Sequence, residues 1–217
     1  MRIIYNNIDD IAVNKGEKNS CCVINPTGEF RVEIKEKALF DALFIFTETT
    51  TFNARIDLSG KESSCNINAL YALNDDKKAS FTATVEHGNV STSSKQTVKG
   101  VAAGRSSFSF YGIVDVKEHS VKTDAEQLHM GLLLSDDAKI TASPQLMIRN
   151  DDVKCSHGSA VGDLDKNQMF YLKSRGIDED DAKKILIRAF FADILEKIDD
   201  AETKKTCYEK LGLTYDD

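Results

Sequence analysis

From about residue 28 to residue 160 the chain alternates between apolar and polar positions. The stretch FRVEIK places Phe30, Val32 and Ile34 on one side, and FNARIDL places Phe52, Ala54, Ile56 and Leu58 on one side with Asn53, Arg55 and Asp57 opposite. Cys65, Ile67, Ala69, Tyr71 and Leu73 continue the pattern, as do Phe81, Ala83 and Val85 against Thr82, Thr84 and Glu86. A period of two over five or more residues predicts strands with one buried and one wet face. They recur at intervals broken by LSGKESS, NDDKK and EHGNVSTSS, which are clusters of turn-forming residues. No helical pattern intervenes, so a doubly wound α/β fold is excluded and a sandwich or a β-helix remains. No clear internal repeat chooses between them.

After Gly162 the period changes. Asp165 with Gln168 three residues later fits a helix start, and Gly176 is placed to end that helix in the left-handed conformation. Asp178 opens a second helix, with Glu179, Asp180 and Asp181 at the electropositive N-terminus. Its apolar residues, from Ala182 and Ile185 through Phe190 to Ile198, cover far more than the roughly 100° stripe of a surface helix. One face packs on the β domain. The other, through Ile187, Phe191, Ile194 and Ile198, requires a second contact, either the final segment Ala201 to Leu213 or a partner protein. The predicted organisation is a β core over residues 1–162, with 1–27 a weakly assigned lead-in, and a helical segment over 163–217.

The bulk properties remove several function classes. The chain has 217 residues, 41% hydrophobic and 29% charged, values ordinary for a globular domain. A net charge of -7 without any long Lys or Arg run argues against nucleic acid and against an anionic membrane surface. No apolar run approaches the roughly 20 residues that span a bilayer, and the first 20 residues lack the apolar stretch of a secretory signal. A cytoplasmic location is expected, and the five cysteines are expected as thiols.

Candidate chemistry is sparse. In VKCSHG, Cys155 and His157 lie two apart on a strand and project to one face, either as ligands suited to iron, an iron-sulfur cluster or zinc, or as a small buried thiol beside a hydrogen-bonded imidazole. Two ligands alone do not close a metal site. Cys21 and Cys22 face opposite ways and read as incidental, and the isolated His87, His119 and His129 read as turn or surface residues. There is no GxSxG elbow, no GxxxxGK[ST] loop and no GxGxxG after a strand, so an acyl-transfer site, nucleoside triphosphate binding and dinucleotide binding are not encoded. Asp151, Asp152, Asp163 and Asp165 are the carboxylates a β-helix carbohydrate enzyme would arrange, although they sit beside turns and helix starts.

Residues 122 to 190 carry LLLSDDA, PQLMI, DDVKCSHGSAVG and FYLKSRGI. This segment closely resembles the SufB/SufD family of iron-sulfur cluster assembly scaffolds, and a weaker likeness through GRSSFSFYGIVDV and ARIDLSGK extends it to about residues 52 to 198. The resemblance implies a right-handed parallel β-helix followed by a short C-terminal helical segment. It also implies a non-catalytic scaffold with no tightly bound cofactor of its own, on which iron or an iron-sulfur cluster is held transiently in a complex. The implied partners are a SufB-type chain, joined through the β-helices, and the ABC-type ATPase SufC, docked on the C-terminal helices, for which Tyr171, Arg175, Ile187, Phe190, Phe191 and Ile194 are candidates.

Within that family the chain looks SufD-like. CSHGSAVG is the SufD form; a SufB-type chain carries a cluster-associated Cys where this one has Ala138, six residues before Pro144, and a Glu where this one has Gly158. His157 matches the interface His of a SufD-type subunit, and Cys155 is its neighbour. Typical members carry an additional N-terminal helical region, for which the roughly 50 weakly matching residues leave little room. A naturally minimal form or a fragment, and pairing with a SufB-type chain or with itself as a homodimeric scaffold, both stay open.

Overall fold

The computed structural model describes residues 2–215. The strands are β1 (Arg2–Tyr5), β2 (Ile11–Val13), β3 (Lys18–Ile24), β4 (Gly28–Ile34), β5 (Leu39–Phe46), β6 (Thr50–Leu58), β7 (Ser64–Leu73), β8 (Lys78–His87), β9 (Ser93–Ala102), β10 (Ser107–Val116), β11 (Thr123–Leu133), β12 (Lys139–Ile148) and β13 (Val153–Asp163). Helices α1 (Lys166–Ser174), α2 (Glu179–Leu195) and α3 (Ala201–Lys210) follow. Odd-numbered strands form one sheet in the order β1-β3-β5-β7-β9-β11-β13, and even-numbered strands the other, β12-β10-β8-β6-β4-β2. Every pairing is parallel. The chain passes from sheet to sheet and back, so each odd-even pair is one coil of a parallel β-helix, and the sandwich alternative is gone.

The alternation sets the interior. Phe52, Phe81 and Phe110 are register partners on β6, β8 and β10, each 29 residues after the last, and their rings stack at 5.9 and 5.8 Å. A repeat therefore exists, marked in the sequence by these three phenylalanines and by little else. One corner shows why: Lys37, Glu62, Ser91 and Lys122 all adopt positive φ, between 55° and 59°, and each donates its N–H to a carbonyl of the next coil. The repeat is in the backbone, and corner residues of three types, Lys, Glu and Ser, carry it.

Two expectations change. Residues 2–24, read as a lead-in, supply β1, β2 and β3 and open the β-helix. The odd-numbered sheet is also not wet on its outer face throughout, because Cys22, Ile24, Leu43, Ile45, Leu70 and Val101 lie beneath the helices in one apolar cluster with Phe191, Ile194, Leu195, Ile198, Cys207, Tyr208, Leu211 and Leu213. The continuous apolar run Ala42–Phe46 on β5 is the sequence signature of that two-sided burial. The segment after α2 thus supplies the second contact that α2 required. Lys99 on β9 adds a pin: its ammonium meets Asp193 at 2.7 Å and lies over the Phe190 ring at 5.3 Å.

The helix starts follow their caps. Asp165 accepts from the N–H groups of Asn167 and Gln168, and Asp178 from those of Asp180 and Asp181. Gly176 has φ +86° just beyond α1.

Candidate functional site

Among the described residues β12 pairs only with β10, and β13 only with β11, so the β-helix ends in two strands each with one unpaired edge. Inward positions on this last coil lack the next coil that would bury them. Cys155 and His157 are such positions, since their register partners on β11 are Ala125 and Gln127, both inward and buried. The two side chains share a face as the spacing predicts. Cys155 is half-buried against Val114, Val116 and Ala125, and burial, then the nearby Asp124 carboxylate, pushes its thiol pKa up. It is a poor thiolate in this setting. His157 is exposed and makes no hydrogen bond or ion pair among the described residues.

Polarity inside the β-helix rises toward this end. Consecutive inward positions of the odd-numbered sheet run Ile67, Gln96, Gln127, His157 in one row and Ala69, Val98, His129, Ser159 in the next. His129, read above as a turn or surface residue, is fully buried: Tyr71 Oη lies 3.1 Å from Nε2 and Ser159 Oγ 3.2 Å from Nδ1. The Tyr71 ring reaches it by passing over Gly100, where a Cβ would sit 2.1 Å from the ring. His87 is buried too, between Thr92 at 2.8 Å and Ser94 at 2.8 Å. Burial holds both imidazoles down at about 4, so each is neutral at pH 7 and meets hydroxyls able to donate or accept. Alternation marks both as inward; only their polarity argued otherwise. His119 is the exposed one, its Nε2 2.9 Å from the Gly88 carbonyl oxygen.

Cys21 and Cys22 do face opposite ways. Cys21 sits in the aromatic interior, its pKa pushed up to about 12 by burial, while Cys22 meets Cys207 of α3 at 3.7 Å between sulfurs. Among the described residues no group of three or more His, Cys, Asp or Glu is placed to hold a metal ion. Of the carboxylates weighed for sugar chemistry, Asp165 caps α1, Asp151 and Asp152 form the turn into β13, and Asp163 ends that strand.

The candidate dock divides. Phe191 and Ile194 are buried in the cluster beneath α2, and Ile187 and Phe190 pack partly against it. Tyr171 is 56% exposed, with the Arg175 guanidinium over its ring at 5.3 Å. Phe170 at 75% and Ile185 at 43% join them as exposed apolar groups that the sequence reading did not select.

The protein is thus a parallel β-helix with an unpaired last coil, an inward His on its last strand and helices folded back on one sheet. Its sequence matches the model described as SUF system FeS cluster assembly, SufBD core domain, over residues 27–190. The chain belongs to the SufBD family of the SUF iron-sulfur cluster assembly system, and it is SufD-like. It is 34% identical over 160 residues to the iron-sulfur cluster assembly protein SufD of Escherichia coli, covering 74% of this chain and 38% of that protein. To a SufBD family protein of Synechocystis it is 44% identical over 89 residues, covering 41% of this chain and 20% of the relative. To SufD of Bacillus subtilis it is 33% identical over 125 residues, covering 58% and 29%. The chain therefore spans less than half the length of these relatives. The family match begins at residue 27, well before the likeness legible in the sequence itself. No helix among the described residues is long and apolar enough to cross a membrane.

Proposed function

We propose that this chain is a non-catalytic scaffold subunit of a cytoplasmic SUF complex, pairing with a SufB-type chain and a SufC-type ATPase while iron and sulfur are delivered as cargo. The observation that carries the reading is the uncovered last coil. It presents His157 on the inward face with no hydrogen bond or ion pair among the described residues, beside two unpaired parallel strand edges and the exposed Met147, Ile148 and Val161. An unpaired edge of this kind is a template for another chain's strand. With one His and one thiol of raised pKa, the remaining ligands for iron or a nascent cluster come from the chain that covers the end.

The second surface is the set of exposed side chains on α1 and α2, Tyr171 and Ile185 lining one groove with Arg175 over the Tyr171 ring and Phe170 lining another, which fits SufC docking. Co-purification with SufB-type and SufC-type chains tests both. A stable three-component complex is expected, and self-association with SufC-type alone would instead favour a homodimeric scaffold. Phe170→Asp is expected to release the ATPase from a folded chain, whereas Phe191→Asp, placing a charge in the cluster beneath α2, is expected to unfold it. Retention of the ATPase by Phe170→Asp removes that dock.

A further inference from the structure

Gln127 poses a physical problem. Its amide is inside the β-helix, Nε2 donates to Gln96 Oε1 at 3.2 Å, and its own Oε1, like Gln96 Nε2 behind it, is buried without a partner. A buried carbonyl oxygen left unpaired is costly. The facing strand yields as well: at Gly112 on β10 a Cβ would lie 2.1 Å from Gln127 Nε2, so the amide occupies space a side chain would need. A glycine inside a strand weakens it. The isoleucine found on the same row at Ile67 would incur neither penalty. The row shows which position follows, because after Ile67, Gln96 and Gln127 the next inward residue is His157, one strand spacing of about 4.8 Å away.

We infer that Gln127 is a positioning residue for His157: with metal bound and the end of the β-helix covered, its Oε1 accepts a hydrogen bond from one ring N–H of His157. This rests on the reading of His157 as a ligand given above. A neutral imidazole binds metal through its unprotonated nitrogen, so placing the proton on the other nitrogen selects the metal-binding tautomer and aims its lone pair out of the coil. Gln96 holds the Gln127 amide from the far side. His129 does not compete, since both its nitrogens already meet Tyr71 and Ser159.

The test uses the full chain in the dimer it forms, loaded with Zn(II) for spectroscopy and with Fe(II) for affinity. Ring proton-nitrogen correlation spectra of the unsubstituted protein are expected to show one His157 N–H protected from exchange with water. That signal is expected to vanish in Gln127→Leu and to persist in Gln127→Glu, which keeps an acceptor oxygen. Fe(II) affinity is expected to fall about tenfold in Gln127→Leu, the lower end of the range for such outer groups. If the unsubstituted, Zn(II)-loaded protein shows no protected His157 N–H, the inference is wrong whether or not the variants fold. If His157→Ala binds both metals as the parent does, the site reading fails, which is a separate result.

Discussion

The middle of the β-helix and its last coil share one register and differ in what fills it. Between β4 and β10 the inward positions hold Phe30, Phe44, Phe52, Phe81 and Phe108, all buried, packed ring against ring. On the odd-numbered sheet the inward rows that run through Ala42 and Phe44 end on β11 and β13 with Gln127, His129, His157 and Ser159. Burial by coils on both sides rewards apolar groups, while a terminal coil with a bare side tolerates polar ones and can use them. On the odd-numbered sheet, position along the helix axis, more than position along a strand, separates the apolar interior from the polar one.

The largest expected difference comes from truncating one side chain in the middle. Phe81 contacts Phe44, Phe46, Phe52 and Phe110 at ring separations of 5.3 to 5.9 Å. Phe81→Ala is expected to cost about 3–5 kcal/mol in urea unfolding, since rigid neighbouring coils cannot collapse into the cavity. A loss below about 1 kcal/mol would mean that the coils repack and that the comparison is weaker than the geometry indicates.

A smaller effect separates the buried polar groups from the aromatic ones. His87 and His129 are held at about 4 in the folded chain, against 6.5 when unperturbed. Between those values the unfolded chain binds more protons than the folded one, so this contribution is fully present above pH 6.5 and declines as pH falls toward 4. Each His contributes a slope of at most about 1.4 kcal/mol per pH unit. Urea midpoints measured from pH 7.5 to 4.5 should fall across that window, and less steeply in His129→Gln than in the parent. Equal slopes would show that His129 makes no contribution to the acid limit.

How much of this was legible follows from what each element depends on. The period of two gave the inward rows from Phe30 to Val85, and the Asp-led starts of α1 and α2 were readable because a cap is a local event. The topology was legible only through the family resemblance and not from the period, since the parallel coil is defined by corners at Lys37, Glu62, Ser91 and Lys122 that share a dihedral angle but not one side-chain type. The burial of Phe191 was half legible: its helix was visibly too apolar for solvent, but the choice between α3 and a partner depends on tertiary packing. Cys155 and His157 were readable as a pair on one face. That this face belongs to the uncovered end needs the strand order, which periodicity does not carry.

The smallest expected effect on stability is at the last coil, and it decides most about function. His157 is exposed, makes no hydrogen bond among the described residues and is packed on one side only, so the folded chain has little to lose when the imidazole goes. His157→Ala is expected to change unfolding by no more than about 0.5 kcal/mol, the usual range for a surface site. Iron-sulfur content per assembled complex is nevertheless expected to fall, because a methyl group cannot replace a nitrogen ligand. Cys155→Ser should show a milder loss, since that thiol is half-buried with a raised pKa. Stability lowered by several kcal/mol with cluster content unchanged would place His157 with Phe81 as a packing residue and erase the distinction between the two regions.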